Sequence, residues 1–348
     1  MPSNNFGCQI ELNIIKIRGG SLVFLFDIKA DLSMFFQENY DRINSALKGG
    51  VSMESKILDG KKVAKTLFKQ MSNQVRRLEL EDISLQIAII HFDNSHDVVL
   101  YNRQIQKRGR VLGIEVNIIA LSSDITFEAL QQTIITLNHN RDIHGIMIQH
   151  PIPRHLSFYQ VASLVDPIKD LDGIHPENLG RLIHGDMRFL PGTCLGILNL
   201  FHAYQLSWEG KNVVILGASN HLSKPLSMLL SHKKATVTLI QRSTPNRQVY
   251  LQMADIIISA IGQGHFLQEI STEKAPIVVD IGINTSNDGQ IIGDIHPQVW
   301  EQAAYYTPVP GGVGPMTVAA LFEQSLKALS LQLDSSLDVM NEEADKSC

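Results

Sequence analysis

The sequence predicts an α/β protein of two domains. Strand-like apolar runs alternate with helical stretches along most of the chain, the pattern of parallel sheets covered by helices on both faces. Its 348 residues are enough for about two domains of ordinary size. A Gly/Pro-rich segment, TPVPGGVGPMT at 307–317, then leads into one last helix.

Regular patterning begins at Met53. Val63, Leu67, Met71, Val75 and Leu78 recur at helical spacing. Residues 85–92 (LQIAIIHF) read as a strand, about 98–112 as a helix, 115–120 as a second strand and 126–137 as a helix. A third strand at 145–149 and a helix at 156–165 complete the first series. The second comprises strands at 213–216, 236–240, 255–260 and 277–281, with a helix after Lys224. The last helix is expected to end near Leu333, and 334–348 is acidic and poor in apolar residues, the composition of a disordered tail.

Residues 1–52 read differently. The apolar run SLVFLF at 21–26 is too short for the core of a signal peptide, and Glu11, Asp27 and Asp31 argue against a transit peptide. Met53 is therefore the expected natural start, with 1–52 an appendage or a wrongly assigned upstream region. Detection of Met1 in the mature protein would overturn this.

Thirty basic against 35 acidic side chains give a net charge of −5, which lacks the basic excess of a nucleic-acid footprint. No window approaches the ~18 apolar residues of a membrane span. Cys8, Cys194 and Cys348 form no CxxC pair, which excludes a disulfide framework or a zinc cluster. The histidines form no HExxH or similar spacing, so no metal is implied. A soluble, cytoplasmic protein is expected.

The second series opens KNVVILGASNHLSKPLSML. A buried strand runs into Gly217, the turn carries Ala218 and Ser219, and Pro225 suits a first helical turn because its missing amide would have no partner there. A strand–turn–helix of this kind gathers free N–H groups and the positive helix end, an anion site suited to a pyrophosphate. GASNHLS is not GxGxxG, and an ordinary tight turn reads equally well from this segment alone. The end of the next strand, Gln241-Arg242-Ser243-Thr244, sharpens the reading. Where an NAD site usually carries a carboxylate, a cation and two hydroxyls fit a 2′-phosphate, so NADP is expected.

Five segments carry a resemblance: IQHPIP (148–153), KDLDGIHPENLGRL (169–182), VVILGASN (213–220), VVDIGIN (278–284) and YYTPVPGGVGPMTVAAL (305–321). Together they resemble the bifunctional methylenetetrahydrofolate dehydrogenase–cyclohydrolase (FolD) family from Met53 to about Leu333. The resemblance implies a folate-binding catalytic domain at 53–175, completed by 308–333, and a Rossmann-like NADP-binding domain at 176–307. It implies oxidation of 5,10-methylenetetrahydrofolate to the methenyl form with NADP, then hydrolysis to 10-formyltetrahydrofolate in the same cleft. Asp172 would hold the pterin, Gln149 would serve catalysis at a strand end, and Tyr101 would stack on the aromatic linker. Gly217, Ala218, Ser219, Arg242, Ser243 and Ile283 would contact the nucleotide, and Pro310 and Gly311 the substrate. A homodimer joined through the nucleotide domain is also implied.

The chain departs from the family around that cleft. The family's helix has a lysine four residues after the tyrosine, on the same face; here Tyr101 is followed by Ile105. Isoleucine can neither accept nor donate a proton, and Arg108 stays protonated. Val98 replaces a serine, DNSHDVVLY is one residue longer than usual, Pro191-Gly192-Thr193-Cys194 replaces PCTP, and Ser223 stands in place of a glycine. Hydrolysis is thus the activity expected to suffer. Two alternatives remain: a catalytically impaired folate- or nucleotide-binding paralogue, and an unrelated Rossmann dehydrogenase.

Overall fold

The computed structural model describes residues 56–345 apart from Asn94, so the expectations for 1–52 and Met53 lie outside the described residues. Helix α1 (Gly60–Leu80) starts where the Asp59 side chain accepts a bond from the Lys62 amide, and the five residues at helical spacing are all buried. β1 (Leu85–His91) is buried along almost its whole length, as a central parallel strand must be. α2 (His96–Leu112), β2 (Ile114–Ala120), α3 (Phe127–His139) and β3 (Gly145–Ile148) follow. The three strands form a parallel sheet of order β2-β1-β3, to which Asp170 adds a bridge beside Ile146.

The helix expected at 156–165 shortens to α4 (Phe158–Ala162). At one end the chain is still turning, with Leu156 bonded back to Pro153. At the other, the Asp166 carboxylate takes the Ile168 amide and bends the backbone away. α5 (Pro176–Ile183) and α6 (Gly192–Ala203) then lead into the second sheet.

That sheet draws on β4 (Asn212–Leu216), β5 (Thr236–Ile240), β6 (Ile256–Ser259), β7 (Ile277–Asp280) and the short β10 (Tyr305–Tyr306). The strands between β7 and β10 are a hairpin, β8 (Asn284–Thr285) and β9 (Ile291–Ile292). Helices α7 (Ser223–His232), α8 (Arg247–Met253) and α9 (Gln298–Gln302) alternate with the strands. The order β10-β7-β6-β4-β5 is parallel throughout and reverses at β4, which places the switch point between β4 and β6.

Helix α10 (Val313–Asp345) packs on α6, α1 and β1, and its Met316, Ala319, Phe322, Leu326 and Leu329 belong to the core built on α1 and β1. The last helix thus returns to the first domain, as expected. The tail expected to be disordered from residue 334 is instead helical backbone through Asp345. No Gly or Pro interrupts 334–345, and lengthening an existing helix needs no new nucleus. Among the described residues no helix is long and apolar enough to cross a membrane.

Candidate active site

The C-terminal ends of β1 and β3 and the start of α2 form one wall of a cleft. Gln149 leaves β3 with its amide bonded to the Ile90 carbonyl (2.8 Å). Its side chain is buried, and Oε1 has no partner. Tyr101 is near enough to Asp172 for the carboxylate charge to act on its phenol, which bonds to Thr317 of α10. Burial first, and then the Asp172 charge, push the phenol up to about 12, with the Thr317 bond opposing. Asp172 is itself pushed up to about 8, by burial and then by the negative charge of Asp170, against a bond from the Ile148 backbone.

The DLDG segment that carries Asp172 is held from below. Asp170 is buried and accepts from the His175 amide (2.8 Å) and the Asn178 side chain (2.9 Å). Gly173 has φ 62°, and a Cβ there would strike the Leu190 backbone, so only glycine fits. Gln324 of α10 ties the DLDG turn to the segment before α6: its Oε1 accepts from the Leu190 amide (2.9 Å) and its Nε2 donates to the Leu171 carbonyl.

The opposite wall is the switch point of the second sheet. Gly217 has φ 116°, and a Cβ there would lie 2.6 Å from the Ala260 carbonyl oxygen, so glycine lets the turns after β4 and β6 close on each other. Ser219 takes the first amides of α7 itself, Ser223 N–H on its Oγ (3.2 Å) and Lys224 N–H on its carbonyl (3.0 Å), and Pro225 has none, so the amides left to an anion are those of the turn at 218–222. Ser223 is fully buried beneath this turn, with its hydroxyl 3.4 Å from that of Ser219. The space of the family's glycine is therefore filled from inside. Arg242 and Ser243 are exposed at the end of β5, and Ile283 is 69% exposed beyond β7.

Sequence reasoning missed the support of this wall. Buried Asp294 accepts from Ser259 Oγ (3.0 Å), the amides of Ile261 (2.8 Å), Gly262 (3.1 Å) and Gln263 (2.9 Å), and Asn284 Nδ2 (3.0 Å). Asp280 accepts from the Gly282, Asp294 and Ile295 amides, and burial pushes it up to about 6. Thr317, Gln324 and Asp294 were hidden because their partners lie far away in sequence. The GD at Gly293-Asp294 was the one local signal.

Two expected residues are placed less directly. Pro310 is exposed, whereas Gly311 is buried against the Lys61 side chain and accepts the Lys61 amide (3.2 Å). Ile105 is fully buried in the first core. The two walls meet at the rim, where the rings of His150 and His221 stack with centroids 5.1 Å apart.

A family model for the catalytic domain of tetrahydrofolate dehydrogenase/cyclohydrolase matches residues 58–172, and one for its NAD(P)-binding domain matches 191–333. The chain is a member of the FolD family. The bifunctional protein FolD of Streptococcus sanguinis is 37% identical over 283 residues, 81% of this chain and 100% of the relative. The crystal structure of bifunctional FolD from Campylobacter jejuni matches with a TM-score of 0.77 at 35% identity, over 79% of this chain and 99% of that one. FolD from Trypanosoma brucei, solved with NADP cofactor and an inhibitor, matches with a TM-score of 0.75 at 29% identity, over 80% and 98%. The unrelated Rossmann dehydrogenase is thereby set aside.

Proposed function

We propose that this FolD chain oxidises 5,10-methylenetetrahydrofolate to 5,10-methenyltetrahydrofolate with NADP as hydride acceptor, and that its hydrolysis of the methenyl form to 10-formyltetrahydrofolate is impaired. The observation that carries the reading is the Asp172 carboxyl acting on the Tyr101 phenol, on the wall whose His150 stacks on His221 of the turn after Gly217. NADP fits this chain: the turn after Gly217, from Ala218 to Leu222, offers amides to a pyrophosphate, and Arg242 with Ser243 stands exposed at the ribose end.

In this reading Asp172 accepts hydrogen bonds from the pterin ring nitrogens, and Tyr101 stacks on the aromatic linker. Gln149 turns its spare oxygen to the reacting carbon, Pro310 and Gly311 edge the folate, and Ile283 covers the nicotinamide. Hydride transfer depends chiefly on alignment between the two walls. Addition of water needs a proton carrier, and the buried isoleucine at 105 supplies none.

The test supplies methylenetetrahydrofolate and NADP and follows reduced nucleotide and methenyl product separately. Reduced nucleotide with accumulating methenyl is expected. Clearance of methenyl well above the buffer rate would overturn the impaired hydrolysis. Tight folate binding without reduced nucleotide would favour the second reading, an impaired binding paralogue, which the burial of Ile105 already supports. By kinship we also assign a cytoplasmic homodimer, without nucleic-acid or membrane partners. A monomer mass in sedimentation equilibrium would remove the dimer.

A further inference from the structure

Three rings close the rim of the cleft. His150 directly follows Gln149 on the folate wall, and His221 lies in the turn that follows Ser219 on the nucleotide wall. The two imidazoles stack at 5.1 Å and 27°. Phe158 of α4 packs on both, at 5.0 Å from His150 and 6.1 Å from His221, within the range in which aromatic pairs attract. The contact is chain-specific on one side at least, because the family's corresponding segment reads VQLPLP, with leucine where His150 stands. Two rings that can each take a proton therefore join the domains beside the residues that must be aligned.

We propose that His150 and His221 are positioning residues that clasp the two walls of the cleft when both are neutral and release them when either is protonated. Each ring gives up water where it faces the other, so a charge on either weakens the stack, and two imidazoliums in contact repel. Partial desolvation where the rings face each other lowers both below the ordinary imidazole range, and for His150 the neighbouring His221 adds to this. Both residues are otherwise exposed, so protons reach them freely.

The surrounding charges do not rescue a protonated pair. His155 on the same segment is bonded to the Ile125 carbonyl (2.9 Å), and Arg154 and Tyr159 are exposed. Lys224 on the nucleotide wall is bonded to Asn220 Oδ1 (2.6 Å). Among the described residues no carboxylate contributes to the titration of either ring.

The consequence for turnover rests on the dehydrogenase reading, whereas the clasp itself does not. The full chain, His150→Leu and His221→Phe are compared at about pH 8 and about pH 5.5, on either side of the histidine range. Small-angle scattering without substrate reads the separation of the domains, and kcat at saturating substrates reads alignment. The parent is expected to expand in acid and to lose about tenfold in kcat, the response of one titrating equilibrium. Both variants should keep one size, with the ratio of kcat between the two pH values under about twofold. His221→Lys, which fixes a charge at the rim, should be expanded at both. Equal acid expansion and equal kcat ratios in the parent and His150→Leu would overturn the clasp. If no protein forms reduced nucleotide, the dehydrogenase reading fails and scattering alone decides the clasp.

Discussion

The nucleotide wall of the cleft is internally saturated, and the folate wall is not. Asp294 spends both its oxygens on the turns after β6 and β7, and Ser219 and Ser223 bond each other. Across the cleft, Gln149 Oε1 and both amide atoms of Asn102 are buried with no partner, and the Asp172 carboxyl is raised to about 8. A buried polar atom left without a partner costs about 1–3 kcal/mol. One wall is a scaffold that stands without its ligand, and the other is completed by what binds there. Substitutions on the two should therefore separate stability from binding.

The largest expected effect is at Ile105. Methenyl hydrolysis should run about 10²–10⁴-fold below that of a relative with the lysine, measured as clearance of added methenyltetrahydrofolate. Ile105→Lys is no simple rescue, because it puts an ammonium at a fully buried position. Its melting curve should drop by several degrees, and a gain in hydrolysis without that drop would show the side chain already faces the cleft. Asp294→Ala should cost about 3 kcal/mol by orphaning several buried donors, read as a fall of roughly 6 °C in Tm.

Asp172→Asn should leave Tm nearly unchanged yet weaken folate binding about 10²-fold, as expected for loss of a charged acceptor. A larger fall in Tm for Asp172→Asn than for Asp294→Ala would break the comparison. The pH dependence sharpens it. The free Asp172 carboxyl is raised to about 8, so below that value it is protonated and loses its acceptor charge. Folate affinity should fall by up to about tenfold per pH unit below 8 in the parent, and Asp172→Asn should flatten that slope. Arg242→Ala should raise the KM for NADP about tenfold and leave that for NAD unchanged. Ser223→Gly should be smallest, near 1 kcal/mol in stability, since its hydroxyl is partnered only within the turn.

Much of the fold was legible because parallel strands buried on both faces must be continuous apolar runs, as LQIAIIHF is. Elements such as the two-residue β8, β9 and β10 were not legible, being too short to show any period. The acidic stretch after Leu333 misled, since composition reports burial and not whether a helix already in place can run on. In the site, Asp172 and Gly217 were legible because each stands in a short segment with its own signature, although Tyr101 and Ala260, which they meet, lie far away in sequence. Thr317, Gln324, Asp294 and the paired histidines act through partners remote in sequence, which no single segment displays.

Helix α10 also governs how the protein is made. β1 and α1 leave the ribosome more than two hundred residues before Phe322, which packs its ring on Phe68 at 6.3 Å. While the second domain is synthesised, the apolar face of the first waits without its cover, a state open to chaperone capture and to aggregation. A stop codon anywhere before residue 313 would remove the terminal helix from the first domain's core, not merely shorten the second domain.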